Sequence, residues 1–167
     1  MPYLLDANVF ISAKNLHYGF DFCPAFWEWI LQEHRGGKVF SIEKVGDELA
    51  AGQDDLSDWA AGIEDGFFLK PGATTLPSFA VVSNWVTSHP EYSAAAKNTF
   101  LQNADYYLIS QALAEQHIVV THERLNASIH RVKIPGVCLG VGVNCITPFE
   151  MLRRERARFI LETRAAS

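Results

Sequence analysis

The hydrophobic residues of this chain form short continuous runs that alternate with longer stretches at helical spacing. Tyr3-Leu4-Leu5 and residues 118–121 are runs of apolar and β-branched residues, which predict buried strands. Between such runs, apolar residues recur every three or four positions, as on the buried face of a helix. The clearest elements predicted are helices over residues 24–35, 75–89 and 104–116, and further short strands near 39–40, 67–69 and 143–146.

The order of these elements indicates the fold class. Strands separated by helical stretches need crossover connections, which make the strands parallel and place helices on the faces of the sheet. The expected fold is α/β, a three-layer α/β/α sandwich with a small parallel central sheet. We expect residues 1–167 to form a single domain, because no long linker, low-complexity segment or internal repeat interrupts the pattern.

Three local signals predict where elements begin and end. Ser41 is a plausible N-cap for the helix that follows the second strand. Residues 133–142 contain Pro135-Gly136 and two further glycines, a composition typical of a loop. Thr147-Pro148-Phe149-Glu150 resembles a helix start, with threonine as N-cap and proline in the first turn, and we predict that this helix continues to about residue 163.

Composition and charge exclude some classes of protein. The apolar runs are a few residues long, far short of the roughly 20 residues that cross a bilayer. The N-terminus has no basic region before an apolar stretch, so it does not resemble a signal peptide. We therefore expect a cytoplasmic protein with no membrane association. The net charge of −5 by itself disfavours a nucleic-acid partner, because phosphate contacts need lysine and arginine.

Four carboxylates occupy positions that suggest chemistry. Asp6 ends the first strand, Glu123 follows the strand at 118–121, Asp105 begins a helix, and Glu48 lies in the helix after the second strand. Chemistry in parallel sheets lies beyond the carboxyl ends of the strands. Carboxylates gathered there repel one another unless cations neutralise them, and oxygen ligands suit Mg²⁺ or Mn²⁺. Taken singly, each acid has a simpler explanation as a cap, a first-turn helix acid or a solvated charge.

The ordered set resembles the PIN domain family, which includes the toxin ribonucleases of type II toxin–antitoxin systems. Four segments carry the resemblance in the family's order and together extend over most of the chain. They are LLDANVF at residues 4–10, SIEKVGDEL at 41–49, ADYYLISQA at 104–112 and VVTHE at 119–123. Lys133-Ile134-Pro135 and Cys145-Ile146 resemble a bacterial and archaeal branch of the same family.

The resemblance implies a Mg²⁺- or Mn²⁺-dependent endoribonuclease in which a metal-activated water hydrolyses RNA. The implied metal ligands and catalytic residues are Asp6, Glu48, Asp105 and Glu123, with glutamate at the last position where aspartate is commoner. We assign Glu48 rather than its neighbour Asp47, because the apolar residues around it place it near the buried edge of its helix.

The resemblance further implies supporting residues and protein partners. Asn8 would support Asp6 by hydrogen bonding, and Thr121 would do similar work near the fourth acid. A toxin of this kind is held inactive by a cognate antitoxin protein and often forms a homodimer.

Basic residues supply candidate RNA contacts. Arg124, Arg131 and Lys133 follow Glu123 and are close in sequence to the proposed chemistry. Four arginines at 153, 154, 156 and 158 have two interpretations: a solvated face with ion pairs to neighbouring glutamates, or a contact with RNA or an acidic partner.

Three other functions share parts of this pattern. A catalytically silent PIN fold would act as a binding module, and a DNA- or structure-specific nuclease would use the same acidic site. Phosphatases of the haloacid-dehalogenase type also carry an aspartate after the first strand, but they need a second aspartate where this chain has Asn8.

Overall fold

The central sheet is parallel throughout, which confirms the predicted fold class. The computed structural model describes residues 1–161. In this range the strands are β1 (Tyr3–Leu5), β2 (Val39–Ile42), β3 (Phe68–Leu69), β4 (Ile118–Val120) and β5 (Cys145–Ile146). Their spatial order is β3-β2-β1-β4-β5, and every neighbouring pair runs in the same direction.

Helices cover the sheet and give the three-layer α/β/α arrangement. No helix in the described part of the chain is both long and apolar enough to cross a membrane. The helices are α1 (Ala7–Ser12), which continues as a π-helical turn over Ala13–His17, α2 (Pro24–Arg35), α3 (Glu43–Ala50), α4 (Asp55–Ala61), α5 (Thr75–Ser88), α6 (Ala94–Leu101), α7 (Ala104–Glu115), α8 (Ile134–Val141) and α9 (Pro148–Arg154).

Strand β1 occupies the centre of the core. Leu4 and Leu5 are fully buried, because β2 and β4 pair with the two edges of β1 and helices cover both of its faces. A strand in this position has no solvent face, which is why its sequence is continuously apolar rather than alternating.

The order in which strands are added to the sheet changes side at β1, between β1 and β4, although all strands run in the same direction. The connection from β1 leads outward to β2 and then β3, whereas the next connection returns to place β4 on the other side of β1. Such a switch point opens a crevice at the carboxyl ends of the two strands, because the adjoining connections diverge. Asp6 directly follows β1 and Thr121 directly follows β4, so both lie at this crevice.

The prediction that Ser41 caps a helix is wrong. Ser41 is buried inside β2, and its hydroxyl donates a hydrogen bond to the carbonyl of Leu5 at 2.6 Å. The helix α3 begins two residues later, with Ile42 in the N-cap position. A serine can satisfy a neighbouring strand as readily as a helix end, and the local sequence does not distinguish the two uses.

The loop predicted over residues 133–142 is instead the helix α8. Pro135 lies in its first turn, where a missing N–H costs little. Gly140 is required by packing, since a Cβ atom there would lie 2.1 Å from the Trp85 side chain of α5. The glycine therefore reports a close approach of two helices rather than a loop.

The last helix begins as predicted but ends early. Thr147 is the N-cap and accepts a hydrogen bond from the backbone N–H of Glu150. The helix stops at Arg154, because Glu155 turns back to the sheet and binds the Tyr3 hydroxyl at 2.9 Å and Lys38 Nζ at 3.0 Å. Residues 162 and 163 of the predicted helix lie outside the described residues.

Replacing Gly140 with alanine tests the close packing of α8 on α5. We expect Gly140→Ala to lower the free energy of unfolding by about 1–3 kcal/mol, because the new methyl group overlaps the Trp85 ring. Gly136→Ala in the same helix is the control, since the nearest atom to its Cβ is the Tyr92 hydroxyl at 3.3 Å. Urea unfolding of both variants decides the point, and equal stabilities would contradict the packing argument.

Candidate active site

A cleft of about 440 Å³ opens at the carboxyl ends of β1 and β4. All four acids singled out in the sequence line it, although they come from four separate segments of the chain. Its lining includes Asp6, Asn8, Lys44, Glu48, Asn103, Asp105, Glu123 and Arg131.

Asp6 is the most firmly held of the acids. It is only 5% exposed, and it caps the N-terminus of α1 by accepting the backbone N–H of Ala7 at 2.7 Å. Its second oxygen accepts the hydroxyl of Thr121 at 2.8 Å. Each carboxylate oxygen therefore has a donor, and the side chain is fixed in one orientation at the floor of the cleft.

Asn8 and Thr121 form a network that joins the ends of β1 and β4. The Asn8 amide donates to the Thr121 hydroxyl at 3.2 Å, and its carbonyl accepts the backbone N–H of His122 at 3.1 Å. The backbone N–H of Glu123 also donates to the Thr121 hydroxyl. Asn8 is thus linked to Asp6 by hydrogen bonds through the Thr121 hydroxyl.

Asp105 and Glu48 reach the cleft from two helices. Asp105 lies in the first turn of α7, where the Asn103 side chain caps the helix by accepting the Asp105 N–H at 2.8 Å. Glu48 is an exposed residue of α3 that lines the cleft, whereas the adjacent Asp47 does not. Neighbouring helix residues point about 100° apart, so only one of the pair faces the cleft.

Glu123 differs from Asp6, whose two donors are neutral, because it forms an ion pair with Arg131 and also accepts the first N–H of a helix. One carboxylate oxygen accepts from the Arg131 guanidinium at 3.1 Å, and the other accepts the backbone N–H of Ile134 at 2.8 Å. Ile134 is the first residue of α8, so the carboxylate accepts a helix N–H that would otherwise be unpaired. Its negative charge also interacts favourably with the positive end of the helix dipole. No side chain at the N-cap position itself accepts a helix N–H.

Two of the acids, Asp6 and Asp105, have a raised pKa. Burial, reinforced by the charges of Asp6, Glu123 and Glu48, raises the pKa of Asp105 to about 8. Burial also raises the pKa of Asp6 to about 7, although the hydrogen bond from Thr121 opposes the rise. Both shifts mean that the surroundings disfavour the charged carboxylate, through burial first and through neighbouring acids second.

The donor chemistry of the cleft fits a hard divalent cation. Carboxylate oxygens are the ligands that Mg²⁺ and Mn²⁺ prefer, and a cation would offset the repulsion that raises the two pKa values. Among residues 1–161, no three His, Cys, Asp or Glu side chains already converge closely enough to hold an ion.

Of the basic residues predicted to contact RNA, Arg131 alone lines the cleft. Arg124 is exposed and Lys133 is half-buried, and both lie outside its lining. Among the C-terminal arginines, Arg154 pairs with Glu150 at 2.9 Å, which favours the solvated-face interpretation for that residue.

Sequence reasoning missed Lys44 and Asn103. Lys44 lies on α3 one turn before Glu48, and its ammonium group is 4.9 Å from the centre of the Tyr107 ring. The four-residue spacing from Glu48 was the available signal, since such residues share a helix face. Asn103 was detectable only as the possible N-cap of α7.

A separate cavity of about 380 Å³ lies beside β2, lined in part by Phe40, Gln111 and His117. Glu115 is the one carboxylate in its lining, so it lacks the converging oxygen ligands of the acidic cleft. The candidate chemistry therefore belongs to the cleft at the strand ends.

Comparison with known families covers nearly the whole chain. Residues 3–159 match DUF4411, described as a domain of unknown function. The chain belongs to the DUF4411 family. Neither the curated proteins nor the solved structures contain a match to it. For this DUF4411 protein, the geometry of the cleft is thus the main guide to function.

The raised pKa of Asp105 predicts a pH-dependent cost to stability. A carboxyl whose pKa is higher in the folded state than its unfolded value of about 3.9 favours folding at low pH, and that contribution is lost as the pH rises toward the folded pKa. The metal-free protein should therefore lose stability between about pH 4 and pH 8. Asp105→Asn removes this titration. The stability of the variant minus that of the unmodified protein should therefore be more favourable at pH 8 than at pH 5.

Thermal unfolding at the two pH values, with a chelator present, measures the effect. Asp47→Asn is the matched control, because Asp47 is exposed and lies outside the cleft. The same pH response in both variants would contradict the electrostatic account of the site.

Proposed function

We propose that this DUF4411 protein is a metal-dependent endoribonuclease of the PIN type that hydrolyses RNA phosphodiesters. The observation that carries the proposal is the meeting of Asp6, Glu48, Asp105 and Glu123 in one cleft at the switch point of a parallel sheet. These acids come from segments that also resemble the PIN family in sequence. Helix capping explains Asp6 and Glu123 individually, but it does not explain why all four share one cleft.

Asp6, Glu48 and Asp105 are the residues that would hold Mg²⁺ or Mn²⁺. When bound, the metal would activate a water molecule and neutralise charge on the phosphate oxygens. Thr121 and Asn8 keep Asp6 in place, so its oxygens need little reorganisation. The high pKa values of Asp6 and Asp105 imply that ligand protons leave when the metal binds, so metal affinity rises with pH near neutrality.

The cations that line the cleft are suited to a phosphodiester substrate. Lys44 on α3 and Arg131 on the segment after β4 both line it. Such cations would attract the phosphates that the overall charge of −5 repels. The acidic total of this protein is therefore compatible with an RNA substrate.

Glu123 serves this site as a positioning residue. Its negative charge is already balanced by the Arg131 guanidinium and by the positive N-terminus of α8, whereas the donors to Asp6 are neutral, so we assign the metal to the other three acids. Glu123 thereby sets the path of the segment between β4 and α8 along the cleft. This role departs from the metal-ligand role that the family resemblance implies.

The biological setting follows from the resemblance to PIN toxins. A cognate antitoxin protein would restrain the nuclease in the cytoplasm, and a homodimer is the expected assembly. The alternatives keep the same cleft: a DNA- or structure-specific nuclease would cut a different substrate, and a silent binding module would bind without cutting. The four acids at one site favour a catalytic protein over a catalytically inactive binding module.

Substitution of Asp6 tests the proposed activity. We expect Mn²⁺-stimulated cleavage of single-stranded RNA that falls by about a hundredfold or more in Asp6→Asn, because the metal that would stabilise charge on the phosphate loses an anionic ligand. Asp47→Asn is the control and should cleave like the unmodified protein. Digestion of RNA and single-stranded DNA of the same sequence, side by side, distinguishes the two nuclease classes.

Retained cleavage in Asp6→Asn would exclude the proposed site. Absence of both Mn²⁺ binding and cleavage in the unmodified protein would favour the silent binding module. Preferential cleavage of DNA would move the assignment to the alternative nuclease.

The positioning role of Glu123 predicts a separation between metal affinity and activity. Glu123→Gln keeps an acceptor for the Ile134 N–H but loses the ion pair with Arg131. We expect its Mn²⁺ affinity, measured by calorimetry, to stay within about twofold of the unmodified protein. Asp105→Asn should weaken Mn²⁺ binding by about tenfold or more, since second-sphere changes alone reach that range. Equal losses in the two variants would make Glu123 a metal ligand after all.

A further inference from the structure

A smaller cavity of about 260 Å³ adjoins the acidic cleft on the side of α6. Thr99 and Phe100 of α6 form one wall, and His130 forms part of the other. The cavity shares Asn103, Asp105 and Arg131 with the acidic cleft, so the two spaces meet at those residues. Nothing in the proposed hydrolysis uses this second space.

The junction between the two spaces is rich in hydrogen-bond donors. The Asn103 side chain uses its oxygen to cap α7, which fixes the amide so that its N–H groups remain as donors. Arg131 is 64% exposed and directs one N–H to Glu123, whereas a guanidinium carries five. These two side chains favour a ligand that supplies acceptor oxygens, as phosphates and sugars do, whereas Asp105, the third residue of the junction, is assigned to the metal.

The size and lining of the cavity limit what can enter. Its volume lies below the roughly 300–1,000 Å³ of typical ligand pockets, so it suits one small unit rather than an extended molecule. Its walls combine the polar side chains of Thr99 and His130 with the exposed methyl group of Ala95, whereas Phe100 and Val132 are buried and contribute little surface. That mixture matches a nucleotide, which carries an apolar base face and polar edges.

The cations indicate the direction of a bound strand. Lys44 lines the acidic cleft from α3, and Arg131 lies where that cleft meets the smaller cavity. A polyanion that contacts both would cross the four acids and continue toward α6. Its next unit after the reacting phosphate would then reach the smaller cavity.

We propose that the cavity walled by Thr99, Asn103, His130 and Arg131 binds the nucleotide next to the reacting phosphate of a single-stranded nucleic acid. This proposal rests on the proposed function, because it takes the acidic cleft as the place of cleavage. Single strands are favoured since a base must leave its stack to enter a cavity. Phosphate contact by Arg131 and the Asn103 amide positions the strand, and the cavity accepts the base or sugar.

A cavity-filling substitution tests the proposal. Thr99→Tyr places a large side chain on the wall of the cavity. Asn98→Tyr is the matched control, because Asn98 is also exposed on α6 but does not line the cavity. Binding of a labelled single-stranded RNA is measured by fluorescence anisotropy with Ca²⁺ present. The same variants are assayed for Mn²⁺-dependent hydrolysis of bis(p-nitrophenyl) phosphate, a small diester with no flanking nucleotide.

We expect Thr99→Tyr to weaken RNA binding about tenfold. Asn98→Tyr should leave both RNA binding and hydrolysis of the small diester within twofold of the unmodified protein. Unaltered RNA binding by Thr99→Tyr, or equal weakening by Asn98→Tyr, would overturn the proposal. So would competition by duplex RNA as strong as that by the single strand.

Failure of the proposed function has a different signature. It would appear as no hydrolysis of the small diester by the unmodified protein, while the comparison of RNA binding between the two tyrosine variants still decides the cavity. A deoxy strand of the same sequence shows whether the cavity takes ribose in particular, since equal binding would assign it to nucleotides of either sugar.

Discussion

The parallel pairing of β1 with β4 is the interaction on which the candidate site depends. Leu5 lies opposite Val120, so Asp6 and Thr121 emerge side by side and join through a hydrogen bond of 2.8 Å. Asn8 and the backbone of residues 122 and 123 add further bonds to the same threonine. A shift of register would turn these side chains to other faces and separate the acids.

Electrostatics works against this arrangement. Burial and neighbouring carboxylates raise the pKa of Asp6 and Asp105, so the folded chain maintains the cleft at a cost in stability. The hydrogen bonds to Asp6 offset part of that cost, since Thr121 and the N–H of Ala7 both favour its charged form. The charged forms of Asp6 and Asp105 are unfavourable without a counterion, and hydrogen bonds hold Asp6 in place. Both properties suit a site that binds a cation.

Glu123 lines the same cleft as the other three acids, but we assign it a positioning role rather than a metal-binding role. It is tied to Arg131 and to the first N–H of α8, and these contacts organise the segment that borders both the acidic cleft and the smaller cavity. One carboxylate therefore links the acids to the surface that we assign to the substrate strand. The three remaining acids, Asp6, Glu48 and Asp105, are those that we propose as metal ligands.

The sequence alone determined the fold class and the candidate acids, because buried strands are continuously apolar and the ends of parallel strands meet at one edge. It failed where one residue type serves two structures. Ser41 bonds a neighbouring strand instead of capping a helix, and Gly140 admits Trp85 instead of forming a loop. Only the tertiary structure decided that Asn8 acts through Thr121, that Lys44 lines the cleft and that Glu123 binds Arg131 and α8. Those contacts join residues distant in sequence or depend on where a helix packs. The spacing of Lys44 from Glu48 indicates a shared helix face, but it does not indicate what that face contacts.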